Sequence, residues 1–236
     1  MSITISISSY NQAEYLRDAI ESALNQTVLC KVLVIDDGST DNSWAIAQHI
    51  ALNNKNMEVI HQVNKGLSSA RNTGLMNCDT EYILFLDADD ILLSNCIERI
   101  EQEIKNTDAD VIGLSFKEFG IRDTVIQLMP NPTLEDFKVA NRIGYCSAIK
   151  TDVLRKVGGY SSRMTTGFED LHLWFNLLHK NKKFVTISDI LWLYRTKEKS
   201  MIHDAIKHYA ELMAQIHKDF PEVKEIINNP LPHANS

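Results

Sequence analysis

Three aspartates follow directly on an apolar run in the middle of the chain. The segment "YILFLDADD" places Asp87, Asp89 and Asp90 just after residues 82–86, whose composition predicts a buried strand. Such crowding is costly, because burial and like charge both oppose ionisation of a carboxyl group. Asp87 and Asp89 flank one small residue, so they can share a hard divalent cation, Mg²⁺ or Mn²⁺, that leaves positions for substrate phosphates. The spacing therefore predicts a metal and phosphate site.

Two other interpretations of these aspartates stay open. They can cap the helix that begins near Ser94 and interact with its dipole, although one acid would be enough for that role. An aspartate after a strand is also the nucleophile of haloacid-dehalogenase-type, metal-dependent phosphotransferases. Those enzymes usually continue with a threonine and carry the motif near the start of the chain, whereas here Asp90 and Ile91 follow in mid-chain. The sequence favours the metal site.

A second acidic segment, "VIDDGSTD", follows the apolar run at residues 31–35. Gly38 permits a tight turn, and the polar residues after it can cap the next helix. A capped turn does not explain two consecutive aspartates, Asp36 and Asp37, on the strand side. An aspartate there could accept the imide N–H of a uracil or thymine ring, and Tyr10 could stack on that ring. This segment predicts a site for a nucleobase.

The first half of the chain alternates apolar runs with helical patterns, and this scaffold would bring the acids together. Asn11 and Glu14 have the spacing of a capping box at the start of the first helix. Apolar strands separated by helices imply a largely parallel sheet covered on both faces, whose ligands bind at the carboxyl ends of the strands. The predicted strands are 3–7, 31–35, 57–61, 82–86 and 110–116, and the predicted helices are 16–24, 44–52, 67–76 and 94–105.

The second half of the chain is less regular. Residues 117–150 resist assignment, because Pro130 and Pro132 interrupt every pattern. The segment "GFED" opens a predicted helix over 167–181, where Glu169 and Asp170 would interact favourably with the helix dipole. A stripe at helical spacing near the end predicts core packing or a subunit contact, so a homodimer is a further hypothesis. Its members are Ile202, Ile206, Tyr209, Met213 and Ile216.

Composition narrows the class of protein. The chain has 236 residues and a formal net charge of -7, with no block of Lys and Arg, which disfavours a nucleic-acid partner. The four cysteines are far apart and form no CxxC pair, as is typical of proteins in a reducing cytosol. There is no signal-peptide pattern and no apolar stretch of about 20 residues. We expect a cytoplasmic protein, with peripheral contact at the inner face of the membrane left open.

Six motifs in a fixed order resemble the family 2 inverting glycosyltransferases, which have the GT-A fold. They are "SSYNQAEYL", "VIDDGSTD", "NKGLSSARNTGL", "FLDADD", "VGGY" and "GFED", within residues 3–200. The resemblance implies an α/β fold with a Rossmann-like, mostly parallel central sheet, helices on both faces and a smaller acceptor-side half. Within one compact domain, it implies a nucleotide-sugar-binding half at 1–115, an acceptor-binding and catalytic-base half at 116–200, and a C-terminal helix and tail at 201–236.

The resemblance also implies a role for individual residues on the donor side. Asp37 matches the residue that binds the uracil ring, and Ser8 lies with Tyr10 at the edge of the nucleotide. Asp87 and Asp89 match the residues that bind the sugar and ribose and the metal, with Asp89 the more direct metal ligand.

Further residues are implied around the reacting bond. Asp170 matches the catalytic base, and Glu169 beside it belongs with the substrate-binding residues. Arg71 is expected to face the ribose or the diphosphate, the alternative being a helix-surface arginine paired with an acidic neighbour. His203 is a further candidate for metal or diphosphate contact, unless it is simply a polar surface residue.

The implied activity is the transfer of one hexosyl or N-acetylhexosaminyl group from a nucleotide-diphosphate sugar, with UDP as the expected nucleotide. The expected cofactor is Mg²⁺ or Mn²⁺, the expected acceptor is a saccharide or a lipid-linked saccharide, and the expected pathway is the synthesis of bacterial surface polysaccharide or glycoconjugate. Residues 190–201 read "ILWLYRTKEKSM" instead of the QxxRW of processive synthases, which favours single transfer. The alternatives are a nucleotide-sugar-binding protein without catalysis and a metal-dependent phosphotransferase.

Overall fold

The first four strands lie side by side and parallel, as the alternation of apolar runs and helices predicted. A computed structural model describes residues 2–198 and 205–223. The strands are β1 (Ile3–Ser9), β2 (Lys31–Asp36), β3 (Met57–His61), β4 (Tyr82–Asp87), β5 (Ile91–Leu92), β6 (Val111–Gly120), β7 (Val125–Ile126), β8 (Ser147–Lys150) and β9 (Phe184–Thr196). The helices are α1 (Leu16–Leu24), α2 (Ser43–Ala51), α3 (Leu67–Asn77), α4 (Cys96–Thr107), α5 (Leu134–Phe137), α6 (Thr151–Lys156), α7 (Glu169–His179) and α8 (Tyr209–Asp219), followed by a 3-10 turn at Pro221–Val223.

All the described strands join one sheet in the order β3-β2-β1-β4-β8-β6-β9-β5, with β7 paired to β6. The pairs from β3 to β4 are parallel, and so is the pair of β6 with β9, whereas β8 runs antiparallel to both β4 and β6. In this register Ser8 lies opposite Asp87, and Ser9 lies opposite Asp36. The polar ends of β1, β2 and β4 therefore meet at one edge of the sheet.

Helices cover both faces of the sheet, so the alternating side chains of its central strands enter different cores. On β4, Leu84 and Leu86 belong to the same buried cluster as the isoleucines of β1, whereas Ile83 and Phe85 belong to a second buried cluster with α7 and α8. All seven residues of β1 are buried. A strand buried on both faces is expected to be apolar throughout, and β4 follows this rule up to its final aspartate. In β1, by contrast, isoleucines alternate with the buried polar residues Thr4, Ser6 and Ser8.

Residues 11–14 do not form the predicted capping box. Helix α1 begins at Leu16, and its N-cap residue Tyr15 makes no side-chain cap bond. Asn11 has a left-handed backbone (φ 52°), and its Oδ1 accepts the N–H groups of Thr40 and Asp41 at 2.8 and 3.4 Å. The prediction was wrong because the Asn11 side chain joins the loop after β1 to the loop after β2, a tertiary contact that overrides the local signal.

The predicted stripe near the end of the chain is mainly core packing. Met213 and Ile216 are buried in the second cluster, and Tyr209 packs against it. Ile206, by contrast, is 52% exposed, and Ile202 lies outside the described residues. The homodimer hypothesis stays untested. Among residues 2–198 and 205–223, no helix combines the length and the apolar character needed to cross a membrane.

Helix α3 approaches β1 so closely that Gly74→Ala should be destabilising. A Cβ at position 74 would overlap Ser6 Oγ and lie 3.2 Å from Ser6 Cβ, and Ser6 is fully buried. Glycine to alanine within a helix ordinarily gains about 1 kcal/mol. Here overpacking should reverse the sign, to a loss of about 1–2 kcal/mol in the free energy of unfolding measured with urea. The double variant Ser6→Ala/Gly74→Ala should regain most of it, and a more stable single variant would contradict this packing.

Candidate active site

The end of β1 presents hydroxyl groups to the edge where the strands meet. Ser8 is 7% exposed, and its Oγ makes no hydrogen bond within the part of the chain that the structure describes. A buried hydroxyl without a partner is uncommon in folded proteins, and a bound ligand is one way to satisfy it. Tyr10 is 47% exposed beside it, so its ring has a free face. These positions fit the predicted edge of a nucleotide pocket.

The two consecutive aspartates at the end of β2 both contact neighbouring segments. Asp36 lies 2.7 Å from His61 Nδ1 on β3, and Gly38 has φ 74°, the tight turn that the sequence predicted. Asp37 is 3% exposed and accepts three hydrogen bonds, from Gln62 Nε2 at 2.6 Å and from the backbone N–H groups of residues 65 and 66 at 3.0 and 2.8 Å. An ionised carboxylate has about four acceptor positions, so one remains for the predicted imide N–H of a base. That contact stays a prediction.

The third acid of the "DADD" segment anchors the far half of the sheet. Asp90 is 1% exposed and accepts the backbone N–H of Arg195 at 2.7 Å and the hydroxyl of Tyr145. Burial raises the pKa of Asp90 well above its usual value, and the charges of Asp89 and Asp87 act in the same direction. The helix-capping alternative is wrong, because α4 begins at Cys96 and its N-cap Asn95 makes no side-chain cap bond.

The two aspartates predicted to hold a metal each form an ion pair with a basic side chain. Asp87 Oδ1 accepts Arg71 Nη2 at 2.9 Å, and Asp89 Oδ2 lies 2.5 Å from Lys197 Nζ. Burial, together with the charges of Asp89 and Glu169, raises the pKa of Asp87 to about 6 against the opposing effect of Arg71. This shift is the expected result of crowding carboxylates where little water reaches them.

Arg71 joins the "DADD" segment to the "GFED" segment. Its guanidinium is 1% exposed, donates to Glu169 Oε1 at 2.6 Å and to Asp87 Oδ1 at 2.9 Å, and lies over the rings of Tyr145 and Tyr160 at 4.9 and 5.2 Å. The alternative of a helix-surface arginine paired with an acid is therefore wrong about the surface position, although Arg71 does pair with acidic residues. Each terminal nitrogen donates to one acid, and the predicted contact with ribose or diphosphate stays a prediction. What the structure establishes is a buried bridge between two motifs.

Asp170 lies in the first turn of α7, after a strained residue. Phe168 precedes this helix with φ 56°, a left-handed conformation that is unusual for a bulky side chain and is found most often at functional sites. Asp170 Oδ1 accepts the N–H of Leu171 at 2.7 Å, and Oδ2 accepts Asn141 Nδ2 at 3.3 Å. Burial raises the pKa of Asp170 to about 7, and the charge of Glu169 adds to the rise. A carboxylate with this pKa suits general-base catalysis near neutral pH.

Several residues around the site were not predicted from the sequence. Two of them, Arg195 and Lys197, lie at the end of β9 and just beyond it. Arg195 Nε donates to the carbonyl of Asp89 at 2.8 Å, and the guanidinium packs over Tyr15 and Phe119 at 4.5 and 4.4 Å. Lys197 comes two residues later. A predicted strand over the residues of β9 would have placed Arg195 and Lys197 at a strand end, beside the acids of the "DADD" segment. The remaining ones, Asn141 and Tyr145, lie in the stretch left unassigned, and His203 is outside the described residues.

The arrangement of sheet and acids defines a class. The mostly parallel sheet, covered on both faces and carrying acids at its carboxyl edge, has the GT-A fold, as two solved structures show. TarS residues 1–349 of Staphylococcus aureus, crystallised with UDP-GlcNAc, superimposes with a TM-score of 0.78 at 20% identity, over 93% of this chain and 66% of that one. The mannosyltransferase PcManGT of Pyrobaculum calidifontis, crystallised with GDP-Man and Mn²⁺, gives 0.69 at 16%, over 94% and 68%.

The chain belongs to Glycosyl transferase family 2, whose sequence profile matches residues 4–158. Among curated relatives, the glycosyltransferase GlyG of Streptococcus pneumoniae serotype 4 is 28% identical over 221 residues, which is 85% of this chain and 72% of GlyG. The uncharacterized glycosyltransferase EpsJ of Bacillus subtilis is 35% identical over 143 residues, 60% of this chain and 39% of EpsJ. The predicted family and fold are thus confirmed, and sugar transfer is favoured over the phosphotransferase alternative.

Proposed function

We propose that this protein moves one sugar from a nucleotide-diphosphate sugar, with UDP as the nucleotide, to an acceptor hydroxyl with inversion at C1. The observation that carries the proposal is the Arg71 bridge, because it ties the donor corner, defined by Asp87 and Asp89 of the "DADD" segment, to the start of α7. Arg71 binds Asp87 on one side and Glu169 on the other, and Asp170 is the next residue. A base is thereby held beside the place proposed for the diphosphate.

The proposed step is a direct displacement. Asp170 accepts the proton of the acceptor hydroxyl while that oxygen forms a bond to C1 of the sugar. The bond from C1 to the diphosphate oxygen breaks at the same time, and its electron pair leaves with the nucleoside diphosphate. Because attack and departure are in line, an α-linked donor gives a β-linked product. The pKa of about 7 leaves a substantial fraction of Asp170 ionised near neutral pH.

The carboxylates of the donor corner suit a divalent cation, although Lys197 already lies beside one of them. Carboxylate oxygens of the kind found on Asp87 and Asp89 are the ligands that Mg²⁺ and Mn²⁺ prefer, and such ions usually take further ligands from substrate phosphates. Within the described ranges no group of three or more His, Cys, Asp or Glu side chains could hold a metal by itself. Lys197, which lies at Asp89 Oδ2, would compete with such an ion for this carboxylate. A bound dication would stabilise the charge on the departing diphosphate.

The choice of UDP and the nature of the acceptor belong to this proposal. The complex of TarS with UDP-GlcNAc supports a UDP-sugar and a hexosyl or N-acetylhexosaminyl group, whereas the complex of PcManGT shows that this fold also accepts GDP-Man. A saccharide or lipid-linked saccharide acceptor, in surface polysaccharide or glycoconjugate synthesis, fits a relative such as the chondroitin synthase of Escherichia coli, 39% identical over 104 residues. Transfer at the cytoplasmic face of the membrane would meet both substrates.

Thermal unfolding with a panel of nucleotide sugars tests the proposal. A ligand at 100 times its Kd adds about 2.7 kcal/mol to the free energy of unfolding, which should raise Tm by roughly 5–10 °C for a chain of this size. We expect that rise from at least one UDP-sugar in the presence of Mn²⁺, and less from the matching GDP- and TDP-sugars. UMP, which lacks the second phosphate, is the control ligand. If neither the UDP-sugars nor the GDP- and TDP-sugars shift Tm, the proposal is wrong.

A further inference from the structure

A lysine already lies where the sequence predicted a metal ion. Lys197 Nζ is 2.5 Å from Asp89 Oδ2, and the two side chains are only 24% and 20% exposed. Ion pairs on open surface are weak, but this pair is largely withdrawn from water. The ammonium also lies over the ring of Tyr15, at 4.9 Å from its centroid. Asp89, which was expected to be the more direct metal ligand, therefore has a cation of its own.

The backbone holds Lys197 in this place. Arg195, two residues before it, is bound to the "DADD" turn twice: its N–H donates to Asp90 Oδ1 at 2.7 Å, and its Nε donates to the carbonyl of Asp89 at 2.8 Å. The main chain that carries Lys197 is thus tied to the turn that carries Asp89. The lysine side chain itself is a flexible four-carbon stem, so its ammonium can change partners without movement of the backbone.

Charge explains why a dication and Lys197 compete for the same carboxylate. Two cations that share one carboxylate at contact distance repel each other, and the repulsion is strong where exposure to water is low. A nucleoside diphosphate changes the balance, because its phosphate oxygens offer an ammonium a more negative partner than one carboxylate does. Lysine is a common phosphate ligand in proteins.

We propose that Lys197 holds Asp89 until the donor binds, and that its ammonium then moves to the donor's diphosphate and leaves Asp89 to a divalent cation. The inference rests on the proposed function, since it assigns a residue and a binding order to the same site. Two consequences follow. Lys197 supplies affinity for UDP that needs no metal, and it keeps a divalent cation from binding well before the nucleotide.

Calorimetry on the full chain with three probes tests this assignment: Mn²⁺ alone, UDP with a chelator, and UDP with Mn²⁺. Lys197→Met should bind Mn²⁺ alone about tenfold more tightly than the unaltered protein, because the competing cation is gone. The same variant should bind UDP about tenfold more weakly in chelator. With Mn²⁺ present, most of the affinity for UDP should return, since the dication replaces the lost charge. Lys197→Gln provides an independent second variant.

Two controls make the result specific. Lys150 forms an ion pair of 2.6 Å with Asp108 and is 26% exposed, but it lies at the end of the sheet away from the site, so Lys150→Met should behave like the unaltered protein. The gain in Mn²⁺ affinity should disappear in Lys197→Met/Asp89→Asn, which removes the proposed ligand.

The outcomes separate the inference from the function on which it rests. If Lys197→Met leaves both the affinity for Mn²⁺ alone and the affinity for UDP in chelator unchanged, the role of Lys197 is refuted while UDP binding stands. If the unaltered protein binds neither UDP nor GDP, in chelator or with Mn²⁺, then the proposed function is the part that fails.

Discussion

Replacement of Asp170 with asparagine should lower the rate of sugar transfer by about 10²–10⁴-fold, the range expected for loss of a general base. Asparagine keeps the size of the side chain and can still accept the N–H of Leu171, but it cannot take the proton of an acceptor hydroxyl. Donor binding should be retained, because the proposed donor contacts lie at the ends of β1, β2 and β4 and at Lys197, outside α7. The rate is measured as nucleotide release from the donor that raises Tm most, with simple glycosides as acceptors.

The pH dependence gives a second measure of the same role. Because burial raises the pKa of Asp170 to about 7, kcat/KM of the unaltered protein should rise as the pH increases through 7 and then level off. Asp170→Asn should show no such rise. Asp152 is the matched control, since it is also the second residue of a helix but its side chain is 79% exposed. We expect Asp152→Asn to keep both the rate and the pH profile.

Asp170 should also carry a cost in stability that the asparagine variant removes. The folded protein holds the proton of Asp170 up to about pH 7, whereas an unfolded chain releases it near pH 4. Its contribution to stability therefore falls as the pH rises between those values. Asp170→Asn should be at least as stable as the unaltered protein at pH 8.

If Asp170→Asn keeps most of the transfer rate, Asp170 is not the base. If the unaltered protein binds the donor but does not transfer the sugar, the catalytically inactive alternative is favoured.

The parallel half of the fold could be predicted because its signals are local. Strands β2 and β4 are short apolar runs that end in aspartate, β1 is a short run rich in isoleucine that ends in serine, and the parallel order follows from the helices between them. The mixed half could not be predicted in the same way. Strand β8 has four residues, and β9 alternates buried and exposed positions irregularly across its length. Their places depend on pairing with strands that are distant in sequence, which no local pattern records.

In the candidate site, the acids could be predicted from the sequence, but the residues that they contact could not. The acids at 87, 89 and 170 could be selected by their chemistry and by the strand or helix end on which they lie. Their partners could not, because Arg71 and Glu169 are 98 positions apart and the Arg195 contact with Asp90 spans 105. Asp90 is the clearest example: the sequence places it in the motif, but only the structure shows that it anchors β9. Contacts between residues that are distant in sequence thus determine which acids stabilise the fold.

Replacement of Arg71 with methionine should be the most destabilising of the substitutions considered. The guanidinium is fully buried, and its removal leaves the carboxylates of Asp87 and Glu169 without their cation. Breaking a buried ion pair from one side typically costs about 3–5 kcal/mol. For a chain of this size each kcal/mol lowers Tm by about 2–4 °C, so we expect a fall of roughly 10 °C. Methionine fills much of the same volume, so the loss should report charge more than packing.

The origin of this loss can be separated by a double-mutant cycle, measured by urea unfolding. Arg71→Met/Glu169→Gln should lose less than the sum of the two single variants, because neutralising Glu169 removes one of the carboxylates that Arg71 balances; the coupling should lie at about 0.5–3 kcal/mol. Arg17 pairs with Glu21 on the exposed side of α1, so Arg17→Met should stay within about 0.5 kcal/mol of the unaltered protein. A loss below about 1 kcal/mol in Arg71→Met, or additive effects in the cycle, would show that the bridge does not hold the two motifs together.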